Sequence, residues 1–189
     1  MQRPDDPRSD SRLRVPPLVP PLHVALIEPE IPPNTGNVAR LCAATSSPLH
    51  LVGPLGFKID AHAVKRAGID YWHLVDVRRH LDFPHFAHAH GRDASTISTT
   101  STASIRTPRR WLFTAHARRS WFDPTIDVAP GDALVFGRES VGLPRELVEQ
   151  HEETSVALPT SGAVRSHNLA NAVAIALYEA LRRLGALAT

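Results

Sequence analysis

Asn34-Thr-Gly-Asn-Val-Ala-Arg40 follows an apolar run, Leu22-His-Val-Ala-Leu-Ile27, and a proline-rich turn, Glu28-Pro-Glu-Ile-Pro-Pro33. It opens a helical pattern: Val38, Leu41, Cys42 and Thr45 fall on one face, and Asn37 and Arg40 sit a turn apart on another. A strand ends, the chain reverses, and a helix begins by offering amides and a guanidinium to solvent or a ligand. Taken alone, the segment reads as a capped helix with a solvated arginine, and the rest of the chain changes that balance.

Working outward, 189 residues suffice for one domain with a sizeable core, and 42% hydrophobic with 21% charged residues is ordinary for a globular protein. The net charge is only +2, yet among the 21 cations just Lys58 and Lys65 are lysines. Arginine suits bidentate phosphate contacts, and a GC-rich coding bias gives the same excess. Charge therefore permits a nucleic-acid partner without demanding one. The single cysteine, Cys42, lies on the apolar stripe, so no internal disulfide forms, which points to a reducing, cytoplasmic setting. No apolar run approaches the roughly 20 residues that cross a bilayer. The N-terminus mixes basic residues with Asp5, Asp6, Asp10 and prolines, unlike a secretory signal.

Residues 1–21 read as a flexible extension, with one domain over 22–189. Strands are predicted at His23–Glu28, Leu49–Gly53, Trp72–Val77, Trp111–Ala115, Ala133–Phe136 and Ser155–Leu158. Helices are predicted at Thr35–Thr45, near Ala61–Ala67, near Arg79–His90 with a break at Pro84, at Pro144–His151 and from Asn168 to Leu184. Short apolar strands alternating with helices imply an α/β fold, a mainly parallel sheet with helices on both faces. The Ser/Thr-rich residues 91–109 read as a mobile surface loop. In the last helix Val173, Leu177, Leu181 and Leu184 form a stripe that alanines and Ile175 widen, which suits burial on more than one side.

Two later stretches share the strand-loop-helix form of the first. Leu134-Val-Phe-Gly-Arg-Glu-Ser-Val-Gly-Leu-Pro144 runs from a strand into Gly137, where a ligand could approach the backbone, and on through Glu139. Leu158-Pro-Thr-Ser-Gly-Ala-Val-Arg-Ser-His-Asn-Leu-Ala170 ends with Ser166 or Asn168 capping a helix. Loops after strand C-termini are where open α/β sheets bind ligands. There is no Gly-x-Gly-x-x-Gly, no complete P-loop and no Gly-x-Ser-x-Gly elbow. His85, His88 and His90 lack a metal-ligand spacing with other donors and read as surface or core histidines; no metal is expected.

Together, Glu28-Pro-Glu-Ile-Pro-Pro-Asn-Thr-Gly-Asn37 with Arg40, Leu41 and Cys42, Arg66-Ala-Gly-Ile-Asp-Tyr71, Phe136-Gly-x-Glu-x-x-Gly-Leu-Pro144, and Ser166-x-Asn-Leu169 with Asn171-Ala-Val173 resemble the SpoU-type (SPOUT) RNA ribose 2′-O-methyltransferases. Among these they resemble the small TrmL-like enzymes that methylate the tRNA wobble nucleotide. The resemblance covers about residues 22–185. Departures are Ala170, where many relatives have serine, a longer Ser/Thr loop and the N-terminal extension.

The resemblance implies a C-terminal trefoil knot, a homodimer, S-adenosylmethionine as cofactor and tRNA as partner. It implies backbone groups around Ala115, Gly137 and Leu158 holding the adenosine, with Ser166 and Asn168 lining the site. Asn34 and Glu139 would place the ribose or order the loops, and Arg40 would be catalytic. A guanidinium stays protonated at ordinary pH, so Arg40 suits a phosphate clamp that steadies a developing alkoxide better than a base. Arg66, Arg138 and Arg165 are candidate RNA contacts. Without an added RNA-binding segment in the pattern, a local target such as an anticodon loop is expected. Alternatives are a ribosomal or other tRNA target, a non-catalytic RNA-binding module of the same fold, and an α/β domain for another nucleotide.

Overall fold

The period-2 alternation of a strand's side chains sends them to opposite faces of the sheet, and helices cover both faces. In the computed structural model, which describes residues 14–57, 72–97 and 106–187, the strands are β1 (His23–Ile27), β2 (Leu49–Val52), β3 (Val77–His80), β4 (Arg110–Phe113), β5 (Ala133–Phe136) and β6 (Ser155–Val156). They form a six-stranded sheet in the order β3-β2-β1-β5-β4-β6. Every ladder is parallel. The helices are α1 (Pro32–Thr45), α2 (Phe83–Ile97), α3 (Arg145–Gln150) and α4 (Leu169–Arg183).

Because strand side chains alternate, Val24, Leu26, Leu49 and Leu51 face one way and meet Val38, Cys42, Val173, Leu177 and Leu181 from α1 and α4. Ala25, Ile27, Val52 and Val135 face the other way, toward Phe86 of α2 and Leu147 and Val148 of α3. This is the parallel α/β architecture read from the sequence. Trp121, fully buried, packs edge-on to Trp111 at 5.8 Å and donates Nε1–H to the Ala176 carbonyl at 3.1 Å, tying the β4–β5 connection to α4.

Two elements differ from expectation. Trp72–Leu74 is a 3-10 turn rather than a strand, and the edge strand is Val77–His80, taking Arg79 and His80 from the expected helix. Trp72 and Val75 pack on the main core without being extended, so the apolar signal there was burial. Pro84 does not break α2. It occupies the first turn, where a missing N–H costs nothing, and the helix runs on to Ile97 through the first part of the stretch read as a loop. The helix expected near Ala61–Ala67, the Arg66–Tyr71 motif, residues 98–105 and residues 1–13 lie outside the described residues. Of the expected N-terminal extension, Val15 and Leu18 pack against the main core, and the Pro21 carbonyl accepts Gly131 N–H at 3.2 Å.

The α2 face carries a histidine ladder that the sequence did not announce. Parallel register pairs Ala25 with His50 and Val52 with His80, and period-2 alternation puts His23, His50 and His80 on that face. His23 Nδ1 and His50 Nε2 are 2.9 Å apart, and His50 Nδ1 and His80 Nε2 are 2.8 Å apart. One donor per contact means the neutral tautomers must all run in the same direction. Burial, reinforced by His90 and Arg78, pushes His23 down to about 3. Burial, then His23 and His80, pushes His50 down to about 2. Of the α2 histidines, His90 is buried and bonded through Nε2 to the Gly131 carbonyl at 2.8 Å, while His85 and His88 are exposed.

Candidate active site

Helix α1 has no cap of its own. Its N-cap residue is Ile31, which offers no side-chain acceptor, and Pro32 and Pro33 open the helix. The donors at this end are met from far along the chain. Glu139, in the loop after β5, accepts Glu30 N–H at 2.9 Å, Ile31 N–H at 3.2 Å and Asn34 Nδ2–H at 3.0 Å. A carboxylate at a helix N-terminus is also favoured by the helix dipole. Asn34 Oδ1 in turn accepts Asn168 Nδ2–H at 3.0 Å. Asn168 caps α4, its Oδ1 accepting Ala170 N–H at 3.0 Å and Asn171 N–H at 3.3 Å.

These bonds fix the orientation of both amides. Glu139 only accepts and the α4 amides only donate, so Asn34 must turn its NH2 to Glu139, and Asn168 must turn its NH2 to Asn34. The first, second and third candidate motifs thus meet in one polar chain. Asn34 is buried, Glu139 half-buried and Asn168 exposed, so the chain runs from the core edge to solvent.

The loop carrying Glu139 is itself pinned. Arg138 and Gly142 exchange backbone bonds of 3.1 and 2.8 Å, and Gly142 takes the left-handed φ of 77°. A Cβ on Gly137 would lie 2.2 Å from the Gly142 carbonyl carbon. The glycine is therefore required by the loop folding back on it. Glu30 accepts Ser140 N–H at 3.0 Å and Ser140 Oγ–H at 2.9 Å. Arg138, a candidate RNA contact, forms an ion pair with Glu28.

Gly137, Ala115 and Leu158 follow β5, β4 and β6, three neighbouring strands, at the same C-terminal edge. The β4 and β6 loops are held together there: Thr114 N–H bonds Val156 O at 3.0 Å, and Ala157 N–H bonds Arg119 O at 2.9 Å. Ala115 is exposed, Leu158 half-buried and Gly137 buried. Ser166 and Arg165 are exposed in the loop before α4, and His167 Nε2 reaches the Pro159 carbonyl at 3.3 Å across that loop. Arg40 is exposed on α1, beyond the buried Asn34. Of the candidate residues, the structure joins Asn34, Glu139 and Asn168 by direct bonds and sets Ala115, Gly137 and Leu158 on one edge.

Sequence reasoning passed over Glu30 and Ser140. A carboxylate just ahead of an uncapped, proline-led helix was the available signal for Glu30; the exposed Ser140 gave none.

The family model described as SpoU rRNA Methylase matches residues 21–178. The chain is 44% identical over 165 residues to a tRNA (cytidine(34)-2'-O)-methyltransferase of Aeromonas hydrophila, covering 87% of this chain and 95% of that one. A solved structure described as giving structural insights into 2-OH methylation of C/U34 on tRNA superposes with a TM-score of 0.73 at 42% identity, covering 86% of this chain and 95% of that one. The AdoMet-bound SpoU methyltransferase AviRb of Streptomyces viridochromogenes shares the fold, with a TM-score of 0.68 at 23% identity over 90% of this chain and 60% of that one.

Proposed function

The chain belongs to the SpoU rRNA Methylase family, and we propose that it transfers a methyl group from S-adenosylmethionine to a ribose 2′-hydroxyl of tRNA, at the wobble position of the anticodon. The observation that carries the reading is the convergence of Asn34, Glu139 and Asn168 beside the loops of three adjacent strand ends.

The residues present suit the cofactor. Loops from β4, β5 and β6 stand side by side, so backbone groups near Ala115 and Leu158 and the Gly137–Leu143 turn would hold the adenosine. S-adenosylmethionine, when bound, supplies a methyl already activated by its sulfonium. The protein's task is then alignment and charge stabilisation. Glu139 has its carboxylate engaged by three donors, so it acts as a positioning residue for Asn34 rather than as a proton acceptor. Arg40, exposed on the same helix, clamps the RNA phosphate and stabilises charge developing on the 2′-oxygen. Ser166 and Asn168, exposed at the start of α4, would line the site.

The reading includes a C-terminal trefoil knot, a homodimer and a cytoplasmic setting. In support of the dimer, α4 packs against α1 and turns Ile175 and Tyr178 outward, 38% and 42% exposed. No helix among the described residues is long and apolar enough to cross a membrane. Incubation with labelled cofactor and either bulk tRNA or rRNA, followed by nucleoside mapping, tests the function. Label in a 2′-O-methylated wobble nucleotide is the expected result. Label confined to rRNA moves the target, and no transfer to either rejects the enzyme reading.

A further inference from the structure

Glu139 fixes Asn34 and Asn168 only if its own loop is held, and the holding group is a second carboxylate. Glu30 donates its backbone N–H to Glu139 Oε2, while its side chain accepts N–H and Oγ–H from Ser140, the next residue along. The two segments therefore clasp reciprocally: each one's carboxylate holds the other's backbone across a separation of 110 residues in the Glu30–Ser140 bond. A swing of the loop that would carry Glu139 off Asn34 must first break both bonds from Ser140 to Glu30.

The Arg138–Gly142 bridge closes the loop on itself, and the Glu28–Arg138 pair grips its inner end. We infer that Glu30 is a positioning residue for the methyl transfer, acting through the Ser140 turn and Glu139 to orient the amides of Asn34 and Asn168. This rests on the function proposed above. Ser140 is the weaker half of the clasp, because its N–H bond survives loss of the hydroxyl.

The test uses the full chain with Glu30→Ala, Glu30→Gln, Ser140→Ala, Glu139→Ala and the Glu30→Ala/Glu139→Ala double variant. Misplacing a reacting group by about 1 Å costs on the order of 100-fold. Glu30→Ala should lower kcat by roughly 10- to 100-fold with a smaller change in the RNA KM. Glu30→Gln, which keeps an acceptor for Ser140, should recover most of that loss, and Ser140→Ala should cost about 3-fold or less. In the Glu139→Ala background, removing Glu30 should cost nothing further, because its effect passes through the missing carboxylate. Independent, additive losses would overturn the inference, as would unchanged kcat in Glu30→Ala.

A readout free of turnover separates this from the function itself. In amide NMR spectra of the folded variants, the side-chain NH2 signals of Asn34 and Asn168 should move together in Glu30→Ala and stay near their original positions in Glu30→Gln. Signals unmoved by Glu30→Ala refute the clasp even if the wild type is active. Signals that move as expected in a protein without methyl transfer leave the clasp standing and reject the catalytic reading.

Discussion

The two ends of the parallel sheet are both organised by carboxylates, and they use them differently. At the end where β4 and β5 begin, Asp132 is fully buried and gathers donors from nearby chain: Arg106 Nη1 and Nη2 at 2.9 and 2.6 Å, Arg109 N–H at 2.8 Å, Trp111 Nε1–H at 2.9 Å and Ala129 N–H at 3.1 Å. At the opposite end, Glu139 and Glu30 are half-buried and join segments more than 100 residues apart, with sequence separations of 105 for Asn34–Glu139 and 134 for Asn34–Asn168. The first network is closed and serves the fold. The second reaches solvent at Asn168, at the strand ends where open α/β sheets take their ligands. Polar groups alone do not mark a site; polar groups left at an open edge, tying distant loops together, do.

The contrast predicts which end fails in which way. Asp132→Ala should have the largest effect, lowering stability by about 3–5 kcal/mol, since it removes the carboxylate paired with Arg106 and leaves the buried Trp111 Nε1–H and two partly buried amide donors unmet. Chemical denaturation measures it, and the protein that remains folded should keep its cofactor affinity. Glu139→Ala should do the reverse. Its methyl transfer should drop by about 100-fold, near 2.7 kcal/mol of barrier, with a shift in unfolding midpoint of only a few degrees. Were the two variants to lose stability equally, the division between a structural end and a working end would be wrong.

The histidine ladder sharpens the comparison, because it is a third network, wholly internal. His23 and His50 are held below their ordinary value, so the unfolded chain binds protons that the native state refuses. Stability is then full above about pH 6.5 and falls as pH drops below it toward 3, by up to about 1.4 kcal/mol per pH unit for each residue. Denaturation from pH 7.5 to 5 should show this slope, and His50→Gln should flatten it while lowering stability overall. A slope unchanged in that variant would assign acid sensitivity to other groups. Smallest of all should be the response of RNA affinity to salt, a decline of about 0.7 in log K per log unit of salt for each phosphate contacted in a single-stranded loop. A flat response would remove Arg40 and Arg165 as phosphate contacts.

Much of this was legible beforehand, for identifiable reasons. The strands β1, β2, β4 and β5 are apolar runs buried on both faces, which leaves a strong mark. Strand β3 pairs on one side only and carries Arg78 and Arg79, so its pattern is faint, whereas Trp72 and Val75 beside it are apolar without being extended. Site motifs could be placed at strand ends because glycine, proline and asparagine punctuate them. The bonds between those motifs could not be read, because no local pattern says which of several acidic residues caps a helix more than 100 positions away. Asp132 was missed for the same reason: in Pro130-Gly-Asp132 it reads as a turn residue, and only the fold shows it buried beneath Trp111 and Arg106.

Titration with S-adenosylmethionine while following backbone amide signals tests the central claim most directly. The account predicts that amides at Thr114–Ala117, Gly137–Leu143 and Ala157–Leu169 shift together along one saturating curve, while those around Asp132 and the histidine ladder stay still. Saturable shifts confined to some other surface, or separate curves for the three loops, would contradict it.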